Sequence, residues 1–319
     1  MKFMSRAGFE KPQSNSVAPM VALGSPFKEH SPTALRMIRA DCERSWHDPD
    51  FGRAERDAYH AQTEGTLPQA AGADILVLSC DPGYFNRFGT NFIASHDAAE
   101  DASAIHIHLT LPDDPSIQIL EKIQNHFGPK KFSFTFSKSE IPRYLKYNGV
   151  YLTCARFIHT HKLMTMHQGR CVNIDIDSIV RAPIQSFVNA TLQDKDIAYI
   201  RRWSRLKTSR KVLASALIQA QSDFGLRFSD ALSRCLVQIL LKGPQYHIDQ
   251  TVLYYLTRTA QRSGLKAATM GLELADHHFK ATSPVWSAKG RKRKQNLAFL
   301  QAAEDADRKF KKILAKSDP

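Results

Sequence analysis

The segment Val172-Asn173-Ile174-Asp175-Ile176-Asp177-Ser178-Ile179-Val180 constrains this chain more than any other. A β-branched, apolar run delivers two carboxylates one residue apart and then turns polar. Such a run has the composition of a buried strand. In a strand, residues i and i+2 project to one face. Asp175 and Asp177 are therefore expected to aim together at a point just past a strand end. Carboxylates so placed raise each other's pKa unless a cation sits between them. A hard divalent metal with oxygen ligands answers that need and commonly brings a phosphate with it. A strand-end turn with solvated acids would produce the same pattern.

A chain of 319 residues can form one large domain or two ordinary ones. Its 43% hydrophobic and 24% charged content is that of a soluble globular protein. The five cysteines show no CxxC or CxxH spacing, which argues against a disulfide framework or a zinc site. They fit a reducing compartment, so a cytoplasmic location is expected. No apolar run approaches the roughly 20 residues of a spanning helix. The basic start, Met1 to Arg6, has no apolar stretch behind it, so no secretion signal is expected. The formal net charge of +13 favours a polyanionic partner: a phosphorylated substrate, anionic lipid or nucleic acid. Much of it lies in two clusters, Arg201-Arg202 with Arg205, Lys207, Arg210 and Lys211, and Lys289 with Arg291, Lys292, Arg293 and Lys294. Either could equally be a solvated face.

Residues 1–70 are rich in Ser, Pro, Gly and Ala and read as an extension or cap, with one short helix around Thr33 to Trp46. Order begins at Asp74. Ile75 to Ser79 reads as a buried strand, and Cys80-Asp81-Pro82-Gly83-Tyr84 as a turn. A helix carrying Phe85, Phe88, Phe92 and Ile93 follows. Ile105 to Leu109 and Phe132 to Phe136 alternate with period two and read as strands. His106 and His108 share a face there, as packing or surface groups. Helices are expected over Ile117 to Phe127 and Val150 to Met166, and a fourth strand over Val172 to Ile176. This alternation is the grammar of a mostly parallel α/β sheet, whose ligands bind beyond the carboxyl ends of the strands. Farther on, Val212, Leu213, Ala216, Leu217 and Ala220 suggest an amphipathic helix, and Leu232 to Leu240 another. Gly243-Pro244 breaks the chain before a helix that Asp249 would cap. A last strand is expected near Leu265 to Leu274, then a basic amphipathic tail helix from Gln295 to Lys316, carrying Leu297, Leu300, Phe310, Ile313 and Leu314.

In this order the parts resemble the nucleotide-sugar glycosyltransferases of GT-A fold, and in particular the glycogenin and lipopolysaccharide galactosyltransferase group (glycosyltransferase family 8-like), as a separate bacterial branch. The resemblance lies in four pieces between residues 74 and 292. Ser79-Cys80-Asp81-Pro82-Gly83-Tyr84 is similar to the first strand and turn, and implies that Ser79, Asp81 and Tyr84 hold base and ribose. Tyr151 to Phe157 resembles the helix before the metal strand, and implies that Arg156 reaches the donor phosphates; a guanidinium fork suits phosphate, and a salt bridge to Asp175 is the alternative. Asp175-Ile176-Asp177 is like the family's Asp-x-Asp, implying that Asp175 contacts ribose or metal and Asp177 chelates manganese or magnesium, which stabilises the diphosphate leaving group. Asp249-Gln250 resembles the Asp-Gln pair that faces the donor sugar, with Asp249 on sugar hydroxyls and Gln250 near the anomeric carbon.

The family's third metal ligand is a histidine followed at fixed spacing by Gly, Lys, Pro and Trp. Here Asp276-His277-His278 and Trp286-Ser287-Ala288-Lys289-Gly290 offer similar residues at different spacing. His278 or His277 is the expected ligand, Lys289 is expected at the diphosphate, and Gly290 allows close backbone approach. The resemblance thus implies one GT-A domain over 71–290, an extension before it and a basic helix over 291–319. The implied activity is metal-dependent hexosyl transfer, with retention, from a UDP-sugar to a hydroxyl of a cell-surface glycan, lipid-linked or protein acceptor. The basic tail would suit peripheral contact with the inner membrane. Two alternatives share some of these features. A haloacid-dehalogenase-type phosphatase would use Asp175 as nucleophile and Asp177 as general acid, but its motif belongs at the start of a domain. A nucleic-acid-binding protein would explain the charge but not the paired acids, which repel phosphate unless a metal bridges them, so no nucleic acid is expected.

Overall fold

The computed structural model describes residues 31–69, 72–138, 148–243, 247–290 and 292–316. Its elements begin with α1 (Pro32–His47), α2 (Arg53–Ala61), β1 (Thr63–Gly65), β2 (Ile75–Cys80), α3 (Pro82–Tyr84), α4 (Thr90–Ala98), β3 (Ala104–Thr110), α5 (Asp114–Phe127) and β4 (Phe132–Ser137). They continue with α6 (Asn148–His167), β5 (Cys171–Ile174), β6 (Ser178–Val180), α7 (Gln185–Leu192), β7 (Ile197–Arg201) and β8 (Val212–Gln219). The last are α8 (Asp223–Leu240), α9 (Ile248–Arg262), β9 (Ala267–Met270), β10 (Val285–Ser287) and α10 (Leu297–Lys316). A π-helical turn, Phe85–Gly89, joins α3 to α4, and a 3-10 turn, Arg293–Gln295, precedes α10.

Eight strands form one sheet in the order β1-β4-β3-β2-β5-β8-β7-β9, and β6 pairs with β10 separately. Strands β4, β3, β2 and β5 run parallel. Strand β8 runs antiparallel to β5 and β7, and β9 is parallel to β7. From β2 the chain builds β3 and β4 on one side, then returns to lay β5 on the other. That reversal is a topological switch point, and the crevice it opens lies beyond the carboxyl ends of β2 and β5.

Helices cover both faces of the sheet. On one, Leu76, Leu78, Ile107, Val172 and Ile174 pack with Phe92 of α4, Ile123 of α5, Val188 of α7 and Phe310 of α10. On the other, Tyr199, Val212 and Leu217 pack with residues of α1, α6, α8 and α9. Along β2 the residues alternate, Leu76 and Leu78 facing one layer, Ile75 and Val77 the other. The strands and helices expected between Ile75 and Ile176 are all present, though the fourth strand ends at Ile174 and not at Ile176. His106 and His108 are packing groups: they are buried and hydrogen-bonded to Ser133, Thr135 and Ser137.

One expected element gives way. The segment expected as a helix over Val212 to Ala220 is strand β8, and every residue of it is buried. A strand covered on both faces needs apolar residues on both, which erases the period of two. Residues 31–65, part of the expected extension or cap, are ordered against the sheet domain. Ser31 caps α1 by accepting from Ala34 N at 3.1 Å, and Pro32 takes the first helical turn. Ile38, Cys42 and Trp46 of α1 are buried against α8 and α9. Arg234 of α8 donates to the carbonyls of Ser45, Asp48 and Phe51 at 2.7, 2.9 and 2.7 Å, pinning the turn into α2. Gly52 closes that turn at φ 76°, where a Cβ would meet the Arg234 carbonyl at 2.9 Å. Strand β1 then adds an antiparallel edge to β4.

The tail helix α10 packs on α4 through Phe299, Ala306 and Phe310, leaving Leu297 and Leu300 exposed. No helix among the described residues is long and apolar enough to cross a membrane. Residues 1–30, Pro244, Arg291 and the side chains of Ile313 and Leu314 lie outside the described residues.

Candidate active site at the switch point

Four stretches of chain meet beyond β2 and β5. At the end of β2, Ser79 Oγ donates to the Leu152 carbonyl at 3.1 Å. Asp81 then caps α3 by accepting from Tyr84 N at 2.7 Å, which sets the half-exposed Tyr84 ring at the crevice mouth. Strand β5 ends at Ile174, and Asp175 N donates to the Ser215 carbonyl of β8 at 3.2 Å. The acids therefore lie in a bend between β5 and β6, just past the strand. Pairing of β6 with β10 brings the third stretch alongside: Ala288 N donates to the Asp177 carbonyl at 2.8 Å, which delivers Lys289 and Gly290. Gly290 has φ 81°, a conformation that favours glycine. The fourth stretch is the start of α9. His247, at φ 50°, holds the N-cap position expected of Asp249. The Asp249 carboxylate instead accepts from Gln250 N at 2.8 Å.

The cavity so enclosed measures about 370 Å³, which falls in the range of ~300–1,000 Å³ for small-molecule sites. The structure brings together Asp175, Asp177, Asp249, Gln250, Arg156 and Lys289 on its wall. Ser79 and Tyr84 line it as well, and Gly290 lines the adjoining cleft. Asp81 lines neither space; its carboxylate serves as the helix cap. Neither His277 nor His278 lines them. The two rings pack against each other at 4.5 Å, and His278 N donates to Asp276 Oδ1 at 2.8 Å.

Charge is densely paired inside. Arg156 is buried; its Nη1 lies 2.8 Å from Asp175 Oδ1, and its Nη2 donates to the Ala214 carbonyl at 2.8 Å. The Arg156 Nε is buried without a hydrogen-bond partner among the described residues. Lys289 Nζ donates to Ser215 Oγ at 3.1 Å. Burial pushes the Lys289 pKa down against the pull of Asp175 and Asp249. Burial raises the pKa of Asp249, with Arg156 opposing. Burial also raises that of Asp177, Asp175 adds to the rise, and Lys294 and Lys289 work against it. Gln250, with its amide turned to suit its neighbours, donates to the carbonyls of Ser209 and Val212 at 3.0 and 2.7 Å and accepts from His247 Nδ1 at 3.1 Å.

Lys294, Ser215 and His247 were not singled out by sequence. Lys294 carried a signal only as one member of the basic run 289–294, and His247 only as the residue before the α9 helix. Lys294 Nζ lies 2.9 Å from Asp177 Oδ2 and donates to Tyr84 Oη at 2.7 Å. The manganese or magnesium ligands expected from the resemblance are Asp175, Asp177 and His278 or His277. One oxygen of each acid is engaged by a basic side chain, and among the described residues no three His, Cys, Asp or Glu side chains converge to hold a metal. The donor set does not fit a three-ligand ion.

No family model matches the sequence, and no curated protein matches it. Solved structures do. The glycosyltransferase GlyE of Streptococcus pneumoniae TIGR4 aligns with a TM-score of 0.52 at 12% identity, over 77% of this chain and 64% of GlyE. The galactosyltransferase LgtC, solved in complex with donor and acceptor sugar analogs, aligns with a TM-score of 0.51 at 16% identity, over 76% of this chain and 95% of LgtC. This chain thus spans less than two-thirds of GlyE and nearly all of LgtC. At such identities the likeness speaks for architecture: the chain has the GT-A fold of these glycosyltransferases.

Proposed function

We propose that the protein transfers a sugar from a nucleoside diphosphate donor to a hydroxyl acceptor. One observation carries the reading: cations and acids from four separate stretches converge on one small cavity at the switch point of a GT-A fold. Arg156 and Lys289 line the cavity and suit a diphosphate. The exposed Tyr84 ring suits stacking on a base. Asp249, buried and facing the cavity, suits sugar hydroxyls, with Gln250 beside it.

In the reaction the bond from the anomeric carbon to the phosphate oxygen breaks, and its electron pair leaves with the diphosphate. The acceptor oxygen bonds to that carbon, and the acceptor proton passes to the departing diphosphate. Fixed cations at the diphosphate stabilise the charge that develops there. A UDP-hexose donor, retention of configuration, and a glycan, lipid-linked or protein acceptor are the finer assignments we favour. The phosphatase alternative fails on fold, since β2, β3 and β4 precede the acidic strand in the sheet.

A thermal-shift panel of nucleotide sugars tests the reading. One donor is expected to raise the melting midpoint, because a ligand of the folded state alone stabilises it. That donor should release nucleoside diphosphate in wild type and not in Asp249→Asn. No shift with any donor would reject it.

A further inference from the structure

Lys294 sits on the turn Arg293–Gln295, yet its side chain points inward and is only 12% exposed. Its ammonium meets Asp177 Oδ2 at 2.9 Å and Tyr84 Oη at 2.7 Å. It also lies 4.4 Å from the centre of the Tyr84 ring and 4.8 Å from that of Phe88. A carboxylate, a phenol oxygen and two aromatic faces together make a built site for an ammonium ion. That site coincides with the acid expected to hold a divalent cation.

The case for a metal at paired acids is that two uncompensated carboxylates repel. Here each acid has its own base, Arg156 on Asp175 and Lys294 on Asp177. The need is met within the chain. A divalent ion on Asp177 would also face the fixed charges of Lys294 and Lys289 in the same cleft, and like charges held a few ångströms apart repel.

We propose that the Lys294 ammonium is the resident cation of the Asp175/Asp177 pair, and that Lys294, Lys289 and Arg156 neutralise the donor diphosphate without a divalent ion. This rests on the glycosyl-transfer reading above. The three cations approach the cavity and its adjoining cleft from α6, from the segment after β10 and from the turn before α10. They offer fixed positive charge where a diphosphate carries its negative charge. Tyr84 holds the lysine in place and can at the same time present its ring to a base.

The test is calorimetric titration of UDP into wild type and Lys294→Ala, each in EDTA and in manganese, with melting curves to confirm that the variant folds. Wild type is expected to bind equally well in both solutions. Lys294→Ala is expected to bind about tenfold or more weakly in EDTA, and to recover in manganese, because removal of the ammonium leaves Asp177 free for an ion. A merely structural lysine would show no such rescue. Paramagnetic resonance of Mn²⁺ gives a second readout: bound ion in Lys294→Ala, none in wild type. Wild-type binding that requires manganese would overturn the proposal alone. No UDP binding by wild type in either solution, with no other nucleoside diphosphate bound, would overturn the glycosyl-transfer reading and this proposal with it.

Discussion

Arg156 Nη1 lies 2.8 Å from Asp175 Oδ1, so the cavity floor is a guanidinium from α6 paired to the first acid after β5. Both readings of Arg156 from sequence, phosphate ligand and salt-bridge partner, are compatible with this geometry. Asp175 uses only part of the guanidinium fork, and Arg156 Nε has no partner among the described residues. Arg156→Ala is expected to weaken nucleoside diphosphate binding by about tenfold or more. The melting midpoint should fall by only a few degrees, on the order of 1 kcal/mol, because Asp175 faces a cavity that water can enter. Calorimetry beside thermal melting checks both halves, and unchanged affinity contradicts the assignment.

Asp177→Asn keeps the side-chain volume and removes the charge that holds Lys294. Turnover is expected to fall about 100-fold, the scale of losing one well-placed electrostatic group. The melting midpoint should hold or rise slightly, since burial and Asp175 both disfavour the Asp177 charge. Steady-state kinetics with the donor found by thermal shift makes the measurement. Full activity in this variant would remove Asp177 from the machinery.

Arg234 ties the N-terminal helices to the sheet domain. It is 2% exposed, pairs with Asp230 and donates to three carbonyls in the segment Ser45–Phe51. Arg234→Met is expected to destabilise the protein by about 3–5 kcal/mol, the usual result of stripping one partner from a buried ionic network. Denaturant unfolding reads this directly. A loss below about 1 kcal/mol would mean that residues 31–65 are a dispensable layer.

Buried neutral histidines make stability fall on the acid side. Burial pushes His60 down to about 4 and His106 down to about 3, with Lys162 adding to both. Burial lowers His108 and His159 as well, and their rings stack at 3.7 Å. In the unfolded chain these groups titrate near ~6.5. Below that pH the unfolded state takes up more protons than the folded one, so stability is lost as pH drops from about 6.5 towards 4. Melting midpoints measured from pH 7.5 to 4.5 should decline through this window. A flat profile would show that these histidines titrate in the folded state as they do in the unfolded chain.

The first half of the fold was legible because β2, β3 and β4 carry apolar runs or alternation bounded by clear turns. Helix α5, expected from Ile117, begins three residues earlier at Asp114, capped by Asp113. Strand β8 was not legible, since Val212 to Gln219 is buried on both sides and shows no two-residue period. Helix α1 showed as a short helix around Thr33 to Trp46, but not that Arg234, almost 190 residues on, anchors its end. The site was legible where one short segment carries two groups, as Asp175-Ile176-Asp177 does. It was not where partners come from distant segments: nothing near Lys294 in sequence says that it folds back onto Asp177 and Tyr84.

The central claim is that a nucleoside diphosphate sugar binds beyond β2 and β5 with its diphosphate on Arg156 and Lys289. Calorimetric titration of UDP and the donor found by thermal shift into wild type and the Arg156→Ala/Lys289→Ala double variant tests it most directly. Micromolar binding by wild type and none by a folded double variant is the predicted result. Equal binding by the two proteins, or no binding by wild type, would contradict it.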